Sequence, residues 1–169
     1  MTSNEQLSSR EIDGLRRRLD EAEIRSVLEN YAYAVDRRDL SVLGACFAED
    51  AEWDANGVVR LGRDEIVANR ALDKFASTNH IQSNTYIALD GDRAEARIGA
   101  VAILVEGGDR TDKPHALYRG IRYNNVLVRT NVGWRISRME IRALWETRIP
   151  VSPVTNVVGP PTSAGKERS

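Results

Sequence analysis

Four strand-like segments follow one another in the second half of the chain, separated by turn-forming residues such as Asp90-Gly91-Asp92 and Asn131-Val132-Gly133. The segments are rich in β-branched and alternating apolar residues, which is typical of strands. Because the connections are too short for crossovers, neighbouring segments should pair antiparallel as a meander. The predicted strands cover residues 80–89, 94–106, 116–129 and 134–145.

The first half of the chain has a helical pattern instead. Over residues 9–37 the apolar side chains recur at three- and four-residue spacing and form one stripe. Its members are Ile24, Val27, Leu28, Tyr31 and Val35. Asp39 can N-cap a second helix over residues 40–47. A short strand is then predicted over residues 51–55, and Asn56-Gly57 is a strong hairpin signal.

A third helix is predicted from Gly62 to about Phe75. Helices followed by a curved antiparallel sheet make an α+β arrangement, here a single-domain α+β cone over residues 9–149. The helices should lie across the mouth of the bent sheet and enclose a pocket. We expect a disordered N-terminus over residues 1–8 and a Pro/Gly-rich C-terminal tail over residues 150–169.

Composition excludes several classes of function. The chain has 24 basic and 25 acidic residues, so no basic excess favours a nucleic-acid partner. Its longest apolar run, residues 100–105, is too short to cross a bilayer, and its first twenty residues lack the apolar core of a signal peptide. Cys46 has no second cysteine to pair with. We therefore expect a cytoplasmic protein that binds neither nucleic acid nor membrane.

Few side chains are available for acid–base chemistry, since the chain has only two histidines. Asp36 lies in the last turn of the first predicted helix, where the helix dipole disfavours a carboxylate, so it needs a partner. That partner could be an imidazole, or Arg37, Arg38 or solvent. His80 shares a strand face with Gln82, Asn84 and Tyr86, and this polar file faces either the pocket or solvent.

Tyr31 lies on the apolar stripe and should be buried or line the pocket, where its hydroxyl needs a partner. The alternative is a core tyrosine bonded to a backbone carbonyl. Trp53, Asn84 and Tyr118 are the residues expected to bind substrate, although tryptophans are also common in core packing. The sequence has no CxxC, HxxxH or phosphate-loop spacing, and no metal site is predicted.

Several short motifs resemble the SnoaL-like family of the nuclear-transport-factor-2-like superfamily, over roughly residues 12–146. These are Glu23-Ile24 with Tyr31, Asp36 and Asp39; residues 47–53; residues 62–66; His80 with Asn84; Asp90-Gly91-Asp92 with Ala94; and residues 133–136. Within the superfamily the chain is most similar to scytalone dehydratase, bile-acid dehydratase and hexachlorocyclohexane dehydrochlorinase. The resemblance implies the α+β cone independently of the strand pattern.

The resemblance also implies a site. In such enzymes a helix-end Asp orients a strand His that acts as base, and Asp36 and His80 match those positions. Tyr31 matches the family's tyrosine, and Arg142 falls near an arginine of the last strand. The implied function is a cofactor-independent lyase, of the dehydratase or β-elimination type, acting on a small hydrophobic cyclic substrate.

Two alternatives remain open from sequence. One is a polyketide cyclase or ketosteroid-type isomerase that uses the same pocket. The other is a non-catalytic module that binds a small ligand or a partner. A non-catalytic module predicts that Asp36 and His80 are beyond hydrogen-bond distance, or that side chains fill the cavity. The open sheet and the relatives also favour a homo-oligomer, a trimer rather than a dimer.

Overall fold

The computed structural model describes residues 7–106 and 114–152. Within these residues, three helices and six strands are present, and the strands form one curved sheet. The predicted α+β arrangement is confirmed. Residues 1–6, residues 107–113, where a turn at Gly107-Gly108 was predicted, and residues 153–169 lie outside the described ranges, so the predicted domain limits stay predictions.

The long helix α1 covers Ser9–Arg37. Ser8 caps its N-terminus in a capping box with Glu11, and Arg38 ends it in a left-handed conformation with φ of 59°. Its second half buries Ile24, Leu28 and Tyr31 against the sheet. Its first half is different, because the apolar side chains there are exposed: Ile12, Leu15 and Leu19. The N-terminal half of α1 therefore contributes little to the core.

Two short helices follow. α2 covers Leu40–Cys46 and is capped by the Asp39 side chain, as predicted. α3 covers only Arg63–Val67, so its predicted extension to Phe75 is wrong. The Asn69 side chain accepts a hydrogen bond from the Ala71 backbone N–H, which competes with continuation of the helix. Residues 68–74 instead form turns that lie along the mouth of the sheet.

The strands are β1 (Phe47–Ala55), β2 (Val58–Leu61), β3 (Phe75–Asp90), β4 (Arg93–Glu106), β5 (His115–Thr130) and β6 (Gly133–Pro150). Their order in the sheet is β2-β1-β6-β5-β4-β3. The predicted antiparallel meander of β3 to β6 is confirmed, and β1 joins β6 in parallel. β3 begins five residues earlier than predicted and β6 ends five residues later.

The concave face of the sheet is covered by small side chains on β4. Residues at alternate positions there are buried, and most are alanine: Ala94, Ala96, Ile98, Ala100, Ala102 and Leu104. α1 approaches the sheet most closely at β3 and β6, and the small side chains of β4 leave free volume between the sheet and the helices. The volume lies at the end where α2, α3 and residues 68–74 meet the sheet.

The convex face of the sheet carries exposed apolar side chains, among them Ile81, Tyr86 and Trp145. The Trp145 ring lies directly over Gly120 and leaves no room there for a Cβ. An exposed apolar sheet face is compatible with self-association, and the homo-oligomer stays a prediction. Among the helices in the described ranges, none is long and apolar enough to cross a bilayer.

The contrast between the two halves of α1 gives a stability prediction. Leu28→Ala should lower the free energy of unfolding by about 2–5 kcal/mol, because Leu28 is fully buried and a cavity remains. The matched control Leu19→Ala should change it by no more than about 0.5 kcal/mol, since Leu19 is 65% exposed. Urea denaturation followed by circular dichroism measures both. Equal losses would contradict the packing described for α1.

Candidate active site

The carboxylate of Asp36 joins the end of α1 to β3. Its Oδ1 lies 2.7 Å from His80 Nδ1 and accepts a hydrogen bond of 2.8 Å from the Thr78 hydroxyl. Its Oδ2 accepts a hydrogen bond of 2.7 Å from the backbone N–H of His80. Three donors from one strand thus hold this carboxylate, and the partner that sequence analysis left open is the imidazole together with Thr78.

These hydrogen bonds set the protonation state of Asp36. Desolvation raises the pKa of the carboxyl group, but the hydrogen bonds from the His80 ring, the His80 backbone and Thr78 outweigh it. The pKa of Asp36 is therefore below its ordinary value, and the group is a carboxylate at neutral pH. Because a carboxylate only accepts hydrogen bonds, His80 Nδ1 must carry the proton that it shares with Asp36.

Arg38 fixes the position of this junction. Its Nη1 donates to the Val35 carbonyl at 2.6 Å and to the Thr78 hydroxyl oxygen at 3.0 Å, and its Nη2 donates to the Leu72 carbonyl at 2.8 Å. Arg38 does not bond Asp36 directly but reaches it through Thr78. The left-handed backbone at Arg38 is unusual for a non-glycine residue. These side-chain hydrogen bonds stabilise it.

A cavity of about 200 Å³ lies beside His80. Its walls come from the end of α1, from α2, α3 and residues 68–74, and from the concave face of the sheet. Apolar groups predominate, including Leu43, Ile66, Ala102 and Ile121. The His80 side chain is only 8% exposed and lines this cavity. The imidazole therefore faces the cavity from a wall that is largely desolvated.

Tyr31 lines the same cavity and is buried. Its ring packs edge-on against Phe47 and Tyr123, with centroids 5.8 and 6.1 Å away. Burial raises the pKa of Tyr31 to about 12, and the neighbouring Trp53 side chain offsets part of that rise. Tyr31 is thus a neutral phenol at physiological pH, able to donate a proton but unable to act as a base.

The structure brings together four of the predicted site residues. Tyr31, Trp53 and His80 line the cavity, and Asp36 bonds His80 from behind it. The other three predicted site residues, Asn84, Tyr118 and Arg142, lie outside the cavity.

Asn84 lies at a β-bulge of β3 with φ of 50°, beside a groove on the convex face. Tyr118 alternates with Arg119, which lines the cavity, so its side chain faces away from it.

Arg142 is also placed outside the cavity, contrary to the role expected for it. Its guanidinium bonds both oxygens of Asp54 at 2.9 and 2.7 Å, and Nη2 also bonds Glu140 at 2.7 Å. The neighbours that line the cavity on β6 are Ile141 and Ala143. Because side chains alternate along a strand, Arg142 faces the convex side of the sheet. Asp54 is its ion-pair partner on that side.

Two cavity residues of β5 with ionisable side chains were missed by sequence analysis. Tyr123 is a second buried phenol, and burial raises its pKa well above the ordinary value. Arg119 contributes a guanidinium to the wall. Both lie on β5 at the parity opposite to Tyr118, and polar residues occur at both parities of that strand. Only the packing of the sheet decides which set faces the cavity.

Within residues 7–106 and 114–152, no three His, Cys, Asp or Glu side chains lie close enough together to hold a metal ion. The buried thiol of Cys46, the last residue of α2, donates to the Val42 carbonyl at 3.2 Å and has a pKa that burial raises to about 11. Among the described residues, the acid–base groups at the cavity are the His80–Asp36 pair, the two phenols and the Asp73 carboxylate, which pairs with Arg70.

Known structures share this architecture. A hexachlorocyclohexane dehydrochlorinase of type LinA-type3 from Novosphingobium barchaimii superposes with a TM-score of 0.73 at 20% identity, covering 85% of this chain and 99% of that one. A protein from Novosphingobium aromaticivorans with a provisional scytalone dehydratase assignment gives 0.67 at 24%, covering 83% and 97%. An NTF2-like protein of cystatin-like fold from the same bacterium gives 0.64 at 24%, covering 85% and 92%. These likenesses show the fold.

Sequence comparison identifies the family. An uncharacterised protein of Mycobacterium tuberculosis strain H37Rv is 32% identical over 123 residues, which cover 70% of this chain and 82% of that protein. A counterpart in Mycobacterium bovis matches equally. The profile of the SnoaL-like domain matches residues 16–140, a span that contains α1 from its second turn, the Asp36–His80 junction and most of the sheet. The chain belongs to the SnoaL-like family of NTF2-like proteins.

Proposed function

We propose that the protein is a cofactor-independent lyase that performs dehydration or a related β-elimination on a small hydrophobic cyclic substrate. The observation that carries the proposal is the 2.7 Å contact between His80 Nδ1 and Asp36 Oδ1 at the wall of a cavity. Structural relatives include a dehydrochlorinase and a provisionally assigned dehydratase, which supports elimination chemistry at the family level.

His80 is the proposed general base. With the proton held on Nδ1 by Asp36, the lone pair of the neutral ring is on Nε2, which makes no hydrogen bond within the described residues. Nε2 would remove a proton from a carbon next to a carbonyl, or from the carbon adjacent to the one that bears the leaving group. The adjacent carboxylate then stabilises the imidazolium that forms. Positioned general bases contribute on the order of a hundred- to ten-thousand-fold in rate.

Tyr31 is the proposed acid. Its raised pKa keeps the hydroxyl protonated, so it can donate a hydrogen bond to a developing oxyanion or a proton to a leaving oxygen. Tyr123 lies beside it, with ring centroids 6.1 Å apart, and can share this role. The base on β3 and the phenols on α1 and β5 approach the chamber from different walls. A substrate between them would meet base and acid on separate sides.

The size of the cavity limits the substrate. At about 200 Å³ it is smaller than the roughly 300–1,000 Å³ typical of sites for drug-sized ligands. A one- or two-ring compound fits this volume, whereas a four-ring steroid skeleton would have to extend through the mouth. The proposed substrate is therefore smaller than a bile acid.

Two alternatives give different products. An isomerase or cyclase would use the same base without expelling a leaving group, so its product would keep the mass of the substrate. A non-catalytic module would leave the substrate unchanged. The short contact between Asp36 and His80 and the open cavity favour catalysis over the non-catalytic module.

Substitution of the base tests the reaction. His80→Gln and Asp36→Asn should each lower kcat by about a hundred-fold or more, because the first removes the base and the second the group that orients it. A panel of one- and two-ring β-hydroxycarbonyl and halogenated compounds is incubated with each variant, and mass spectrometry detects loss of water or hydrogen halide. His115→Gln is the control, since it changes the other histidine, at the start of β5 and outside the cavity walls.

Wild-type turnover that persists undiminished in both variants would refute the mechanism. Turnover in which no leaving group is expelled, so that product and substrate have equal mass, would favour the isomerase or cyclase. Binding without any turnover across the panel would favour the non-catalytic module. Circular dichroism spectra of the variants check that the fold is retained.

Acid titration tests the state of Asp36. Because its folded pKa is depressed, the carboxylate stabilises the fold above its unfolded pKa of about 3.9, and this contribution is lost as pH falls through the folded pKa. The difference in melting temperature between wild type and Asp36→Asn should therefore shrink from pH 6 to pH 3. Thermal denaturation across this range measures it. A difference that stays constant or grows in acid would contradict a hydrogen-bonded carboxylate.

A further inference from the structure

His80 and Arg119 lie in one row across the concave face of the sheet. His80 on β3 pairs with Ala102 on β4, and Ala102 pairs with Arg119 on β5. All three line the cavity. Two interstrand spacings separate the Cα atoms of His80 and Arg119 by roughly 10 Å. Because Ala102 between them is small, the floor of the cavity is open from the imidazole to the guanidinium.

The guanidinium of Arg119 is oriented and only partly engaged. Its Nε and Nη2 both donate to one oxygen of Glu146, at 2.8 and 2.5 Å. Glu146 is the next member of the same row, on β6. Nη1 makes no hydrogen bond within the described residues, and the side chain is 32% exposed. One edge of the guanidinium is thus fixed by Glu146, and the remaining N–H groups are open to a ligand.

The other two guanidinium groups of the described wall have partners as well, and that of Arg70 lies on the turn segment 68–74 with its side chain 63% exposed. Arg38 donates to the Val35 and Leu72 carbonyls and to Thr78. Arg70 Nε lies 2.5 Å from Asp73 Oδ2. Among described residues of the wall, three guanidinium groups therefore accompany one carboxylate, that of Asp73. Asp36 lies behind His80 and Glu146 at the outer end of the row, so neither carboxylate faces the apolar chamber between them.

We propose that Arg119 is an anion-binding residue, and that the substrate of this cavity is a one- or two-ring carboxylate. The carboxylate would accept hydrogen bonds from the open edge of Arg119, and the ring would lie over Ala102 toward His80. An arginine presents planar donors that match a carboxylate. The inference names the substrate class of the proposed lyase, but the anion site itself requires no turnover.

Binding of matched probes tests the anion site apart from catalysis. The probes are 2-naphthoate and its neutral isostere 2-naphthamide, and isothermal titration calorimetry measures both dissociation constants at low salt. Wild type should bind the carboxylate about tenfold or more tightly than the amide, as expected for a charge-assisted hydrogen bond. Arg119→Gln should abolish this preference. Arg119→Lys, which keeps the charge, should retain part of it.

Two further variants serve as controls. Arg122→Gln removes the same charge from the convex face of the same strand, where Arg122 lines a separate groove, and should leave the preference unchanged. His80→Gln should also keep it, because the imidazole is not the proposed anion ligand. Melting curves of all variants establish that they are folded.

The proposal is overturned if 2-naphthamide binds wild type as tightly as 2-naphthoate, or if Arg119→Gln retains the preference. It is equally overturned if Arg119→Lys loses all of it while folded, or if His80→Gln abolishes it. Failure of the lyase mechanism gives a different result: His80→Gln would keep its turnover while the preference for the carboxylate and its dependence on Arg119 persisted.

Discussion

The arrangement of the site depends on the carboxylate of Asp36, which joins the last turn of α1 to the middle of β3. A carboxylate at a helix C-terminus is disfavoured by the helix dipole and by partial burial. Three donors from Thr78 and His80 offset both costs. One ion thereby fixes the helix end against the sheet and the tautomer of the imidazole. The feature that stabilises the junction is also the one that prepares the base.

The free volume beside this junction has a separate origin in the side chains of β4. Buried alanines at alternate positions of β4 line the concave face, and their small side chains leave space between the sheet and the helices. Because the Ala102 side chain is small, it leaves free space between His80 and Arg119. A larger residue there would fill the chamber or separate the two groups. The size and the polarity of the cavity thus follow from different residues of one row.

Sequence patterns predicted much of the fold and part of the site. The alternating strands with their glycine-containing turns gave the antiparallel meander, and the apolar stripe of α1 identified Tyr31 as buried. The third helix was predicted too long, because the Asn69 side chain competes with the backbone for hydrogen bonds. Asp36 and His80 were identified by family resemblance and by the need of a helix-end carboxylate for a partner. Thr78 shares a strand face with His80 and could have been inferred from that spacing.

By itself the sequence determined most of the helix and strand content and the antiparallel order of the meander. It also limited the acid–base chemistry to a small number of side chains. These features follow from local spacing and residue type. Only the tertiary structure decided which face of each strand meets the cavity. Arg142 and Tyr118 fall on the convex face, whereas Arg119 and Tyr123 fall on the concave one. The alternation of side chains along a strand is a local property. Which of the two sets faces the cavity depends on the face that the helices cover, and a single β-bulge exchanges the two sets. β-bulges at Ser83–Tyr86 and Gly120–Ile121 change the register beside the site, and no local spacing in the sequence fixes them.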